Sequence, residues 1–123
     1  MKKTQKELLE IVAQAIFDKK GFNILALDVR EISSFTDYLV IAEGNVERHV
    51  KAIGESVQEK LKECGESPVH VDGEESNNWL VIDFLDIMVH LFMPDIREKY
   101  QLEHLWKDGQ IVDLNINPSS SEM

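Results

Sequence analysis

The chain has 123 residues, 43% of them hydrophobic, and its 23 acidic side chains against 13 basic ones give a formal net charge of -10. That length supports one domain with a sizeable core rather than two, and the acidic balance opposes unassisted binding to nucleic acid or an anionic membrane while attracting a basic protein partner. The single cysteine, Cys64, fits a reducing cytosol, no run reaches the roughly 20 apolar residues of a membrane span, and Glu7 and Glu10 interrupt any apolar segment after Met1-Lys2-Lys3, so a cytoplasmic protein starting near Met1 is expected.

Thr4 to Glu7 has the spacing of a capping box, in which the threonine accepts from the backbone and the glutamate reaches back to the cap. The helix it opens carries Leu8, Ile11, Val12, Ala15 and Ile16 as one apolar stripe. Lys19-Lys20-Gly21 suits its end, with cations near the dipole and glycine available for a left-handed cap. Asn23 to Val29 and Tyr38 to Ala42 are nearly continuous apolar runs that read as buried strands, joined by the polar Ser33 to Asp37. Asn45 suits the cap of a second, long helix with Val46, Val50, Ile53, Val57, Leu61 and Cys64 on one side, stopped by Gly65. Pro68 to Val71 is expected at a sheet edge, where the missing amide of proline is tolerated.

Trp79 to Phe92 reads as a hairpin folded back between Phe84 and Ile87. Leu80, Ile82 and Phe84 then lie across from Leu91, Val89 and Ile87 on an apolar face that should meet a helix. The other face carries Trp79, Val81, Asp83, Met88, His90 and Phe92, and a strand pair covered on both sides is expected. Pro94 suits the first position of a third helix, with Ile96, Tyr100 and Leu105 on one side. Ile111 to Ile116 alternates like a strand and Pro118 to Ser121 reads as a frayed tail. The order αββαβββα predicts a mixed sheet with packed helices, of the α/β (α+β) class. A single domain over residues 1–107 is expected, followed by a partly disordered extension over 108–123.

The residues offer little for catalysis. Gly44 and Gly54 have the wrong spacing for a phosphate loop. Asp83 and Asp86 are the best pair for a hard cation, but residues three apart on a strand point to opposite faces, and Asp86 more naturally occupies the turn. His90, diagonal to Asp83, is either a general base or a partly buried histidine satisfied by that carboxylate, and the second reading is preferred. His70 and Asp72 are a weak ligand pair, His49 and His104 read as solvated on helices, and Cys64 lies at a helix carboxyl end, where the dipole opposes a thiolate. The aromatic residues Trp79, Tyr100 and Trp106, with Leu102 and Leu105, are concentrated in the last third, and such side chains commonly anchor interfaces.

Asp28, Ser34-Phe35-Thr36-Asp37-Tyr38, Ile41, Gly44, Arg48-His49, Trp79-Leu80-Val81-Ile82-Asp83, Asp86, Val89-His90, Phe92, Arg97, Tyr100, Leu102-Glu103 and Leu105-Trp106 together resemble the ribosomal silencing factor (RsfS, or Iojap) family over about residues 5 to 107. The resemblance implies a nucleotidyltransferase-like fold without catalysis, cofactor or metal. It also implies binding to the large ribosomal subunit through ribosomal protein L-fourteen, at the face where the small subunit docks, which blocks joining and lowers translation when nutrients are scarce. Trp79, Tyr100, Leu102 and Glu103 are the contact residues it implies, and Asp28, Asp37, Asp83, Asp86 and His90 are read as structural or supporting polar residues. A monomer or weak homodimer is expected, with no direct sequence-specific contact to nucleic acid and none to a membrane. Three positions depart from the family: Glu43 replaces a small hydroxyl residue, Asn78 a glycine, and Leu85 a glycine of the hairpin turn. Because a two-residue turn needs a positive φ there, a wider turn of about four residues is expected. The competing reading is a metal-dependent nucleotidyltransferase-like enzyme using Asp28, Asp83 and Asp86, although the glycine-serine start and the aspartates two apart of such a site are missing.

Overall fold

The computed structural model describes residues 3–76, 78–100 and 109–114, with the backbone alone at Tyr100. The elements are α1 (Gln5–Asp18), β1 (Phe22–Asp28), β2 (Tyr38–Glu43), α2 (Glu47–Glu63), β3 (His70–Asp72), β4 (Trp79–Asp83), β5 (Ile87–Phe92), α3 (Pro94–Tyr100) and β6 (Gln110–Ile111). This is the predicted order followed by the short strand β6, which meets the alternating stretch Ile111 to Ile116 at Ile111. The six strands form one sheet in the order β3-β4-β5-β2-β1-β6. Only β2 and β5 run parallel, and the other neighbours are antiparallel.

The capping box forms as read, with Glu7 N–H donating to Thr4 Oγ1 at 3.2 Å and Thr4 N–H to Glu7 Oε1 at 2.8 Å. The left-handed residue after α1 is Lys20, at φ 68°, and not Gly21. Lys20 N–H reaches Phe17 O and Gly21 N–H reaches Ile16 O, which satisfies the last carbonyls of the helix. Glycine is needed one position later for space, since a Cβ at Gly21 would run into Ile16. The cap of α2 also differs from expectation. Its N-cap is Val46, without a side-chain bond, and Asn45 instead gives its backbone N–H to His49 Nδ1 at 2.9 Å. The other nitrogen of that ring lies 2.6 Å from Lys19 O. His49 is therefore a bridge from the first turn of α2 to the end of α1, where a solvated histidine was expected, and its accepting Nδ1 leaves the proton on Nε2.

The hairpin has the predicted register, with Trp79 opposite Phe92, Leu80 opposite Leu91, Val81 opposite His90, Ile82 opposite Val89 and Asp83 opposite Met88. Leu80, Ile82, Phe84, Ile87, Val89 and Leu91 join Leu9, Val12, Ile16, Val50, Ile53, Val57 and Leu61 in the larger core. Helices α1 and α2 thus cover one face of the sheet. Gly54 of α2 allows close approach, because a Cβ there would strike Leu80 Cδ2. On the opposite face Leu27, Val29, Leu39, Ile41 and Phe92 form a smaller cluster, with Trp79, Met88 and Ile96 of α3 packed against it.

The turn between β4 and β5 is tighter than expected. Phe84 N–H reaches Ile87 O at 2.9 Å and Asp86 N–H reaches Phe84 O at 3.1 Å, so only Leu85 and Asp86 lie beyond the closing bond. Leu85 takes φ 81°, a conformation that costs a side-chain-bearing residue about 1–2 kcal/mol. Its N–H is held by Asp83 Oδ1 at 2.8 Å. The short edge strand is β3, two residues later than Pro68, and Gly65 ends α2 at φ 82° as predicted.

Candidate functional site

Trp79, His90, Phe92, Glu43, Asn23 and the start of α3 meet at one end of the sheet, where β4 and β1 begin and β2 and β5 finish. Trp79 is half-buried. Its ring centroid lies 5.6 Å from that of Phe92 and 6.1 Å from that of His90. The indole Nε1–H donates to His90 Nδ1 at 3.1 Å. Strand alternation brings these three rings together, since positions 79, 90 and 92 share a face. His90 is thus satisfied by Trp79 and not by Asp83, whose carboxylate faces the turn. Only 8% of His90 is exposed, and burial lowers its pKa from 6.5 to about 4, so the ring is neutral at physiological pH.

Helix α3 is fastened to this end by a network that the sequence did not announce. Met93 N–H donates to Asn78 O at 3.0 Å, tying the end of β5 to the approach to β4. One turn into α3, Arg97 donates from Nη1 to Asn23 O at 2.7 Å and to Glu43 Oε2 at 2.9 Å. Asn23 Nδ2–H donates to the same carboxylate oxygen at 3.1 Å. The Arg97 and Glu43 side chains are only 11% and 8% exposed. Asn23 sits at φ 51° beside the irregularity in β1 between Phe22 and Leu25, which turns its carbonyl toward Arg97. The available signals were an acidic residue ending an apolar strand run and an arginine one turn into a helix, but nothing local pairs them.

The remaining supporting residues lie at the other end of the sheet. Asp28 accepts from Arg30 at both carboxylate oxygens, with Nη2 to Oδ2 at 2.7 Å, and this guanidinium holds its pKa below the ordinary aspartate range. The Asp86 carbonyl accepts from both Asp37 and Tyr38 N–H at 3.0 Å, pinning the turn to the start of β2. Asp83 and Asp86 therefore act through the turn. Among the described residues no three His, Cys, Asp or Glu side chains are grouped to hold a metal ion. Leu102, Glu103, His104, Leu105, Trp106 and residues 115–123 lie outside the described residues, as does the side chain of Tyr100. Of the expected contact side chains, the structure thus describes the surroundings of Trp79 alone.

Comparison with known proteins identifies the chain. A family model described as "Ribosomal silencing factor during starvation" matches residues 2–123. The ribosomal silencing factor RsfS of Bacillus subtilis is 38% identical over 111 residues, covering 90% of this chain and 94% of that protein. A mouse protein named "Mitochondrial assembly of ribosomal large subunit protein 1" is 30% identical over 101 residues, covering 80% of this chain and 44% of its own. A crystal structure of a protein from Chromobacterium violaceum superposes with a TM-score of 0.83 at 33% identity, covering 98% of this chain and all of the other. The chain belongs to the ribosomal silencing factor (RsfS) family.

Proposed function

We propose that this protein binds the large ribosomal subunit through ribosomal protein L-fourteen in the cytoplasm, blocks joining of the small subunit by occupying its docking face, and so represses translation under nutrient limitation. The observation that carries this reading is the match to a silencing-factor family over residues 2–123. The mouse relative, named for assembly of the large subunit of the mitochondrial ribosome, favours the same subunit. The contact is formed by Trp79 together with Tyr100, Leu102 and Glu103. An indole fixed by His90 and Phe92 loses little freedom on binding, and the charge of -10 suits a basic ribosomal protein. It acts by steric occupancy, as a binding protein and not an enzyme.

Pull-down on purified large subunits tests the contact. Truncating a hot-spot tryptophan weakens an interface by more than about 1 kcal/mol, or roughly fivefold. Trp79→Ala combined with Glu103→Ala should bind more weakly by at least that factor. Retention equal to wild type would remove these residues from the interface.

A further inference from the structure

At the end of the sheet opposite Trp79, the start of β3, the β4–β5 turn, the start of β2, the end of β1 and the start of β6 lie side by side. Six large apolar side chains are exposed among the described residues, and all but Val46 follow this row: Val69, Leu85, Phe35, Ile32 and Ile111. Such concentration differs from the scattered exposure of a solvated surface. Phe35 and Leu85 are 78% and 62% exposed and line one recess with Asp37 and Asp86.

Local bonds hold both side chains outward. Ser33 Oγ accepts from Phe35 N–H at 3.1 Å, and Asp83 Oδ1 accepts from Leu85 N–H at 2.8 Å. Leu85 keeps a left-handed backbone that glycine would adopt without strain, and its side chain lies outside both cores. Strain retained together with exposure is characteristic of binding surfaces. Around the row, the carboxylates of Glu31 and Asp86 have no hydrogen-bond or ion-pair partner among the described residues, while Arg30 is bonded to Asp28 and also feels the charge of Asp37.

We propose that this end of the sheet is a second docking surface, taking a protein segment that presents apolar side chains flanked by lysine or arginine. Phe35 and Leu85 provide the apolar contact, and the carboxylates of Glu31 and Asp86 select the basic flank. A second copy of the chain fits poorly, because two molecules of charge -10 would bring like carboxylates together. Phosphate backbones are repelled for the same reason. The row is remote from Trp79, so both ends of the sheet can be engaged at once.

The isotope-labelled full chain is titrated with a designed amphipathic peptide of leucine and lysine, and amide shifts are followed by NMR. Saturable shifts should be confined to residues 31–37 and 84–87. Affinity should fall about tenfold in Phe35→Ser combined with Leu85→Gly, or about fivefold in Phe35→Ser alone should the double variant lose its folded spectrum. Trp79→Ala should leave peptide affinity unchanged, and Phe35→Ser should leave large-subunit binding unchanged, which separates this surface from the ribosomal contact. The proposal is overturned by shifts centred on Trp79 or spread over the helices, by equal affinity for a leucine and glutamate peptide, or by no saturable shift. A concentration-dependent dimer abolished by Phe35→Ser would also overturn it, since the occupant would then be a second copy.

Discussion

Burial of His90 makes the fold sensitive to acid in a way that can be isolated. With the pKa lowered from 6.5 to about 4, the unfolded chain binds a proton at this position that the folded chain does not. Between those values stability therefore rises with pH; it is retained above about 6.5 and lost as pH falls toward about 4. The whole shift corresponds to about 3 kcal/mol, of which about 2 kcal/mol falls between about pH 7 and about pH 5. His90→Gln removes the titration and keeps a carbonyl oxygen able to accept from the Trp79 indole. Carboxylates also begin to titrate in this range, so the difference between the two proteins is the informative quantity. Urea unfolding at both pH values should show wild type losing about 2 kcal/mol more than His90→Gln. Equal losses would show that the imidazole is not held neutral, and a larger loss in the variant would mean that the fold stabilises the imidazolium.

Four further substitutions test the packing. Arg97→Met leaves the Glu43 carboxylate buried without its cation and should cost about 3 kcal/mol in urea unfolding, with most of it regained when Glu43→Gln is added; a loss under about 1 kcal/mol would mean that the pair is solvated. Leu85→Gly should stabilise by about 1 kcal/mol, because relief of the left-handed strain exceeds the entropy of a more flexible unfolded chain, and a higher thermal midpoint checks it. Gly54→Ala should destabilise by about 2 kcal/mol despite the better helix propensity of alanine, because its methyl meets Leu80; a neutral result would show that Leu80 moves aside freely.

Those features that depend on a fixed period or a local cap were readable in the sequence. Alternation from Leu80 to Leu91 set the hairpin register, Thr4 and Glu7 set the start of α1, and Pro94 set the start of α3. Features that depend on contacts between distant segments were not. Arg97 and Glu43 are 54 positions apart, and the His49 bridge to Lys19 spans 30. Asn45 has the chemistry of a cap, but the N-cap is Val46, and Asn45 instead gives its backbone N–H to His49. At Leu85 the turn stays at two residues against local propensity, because the bonds made by Asp83, Asp86 and Ile87 outweigh the strain of one residue. For His90, the strand face was right, but its neighbours included two hydrogen-bonding partners, and the indole rather than the carboxylate faces the ring.

The proposed action is occupancy of the large subunit in place of the small one. Sedimentation of the protein with separated subunits, alone and then mixed, measures this directly. The protein should travel with the large subunit, be absent from the small one, and reduce the joined-ribosome peak in proportion to its occupancy. Retention on the small subunit, or saturation of the large subunit with the joined peak unchanged, would contradict the claim.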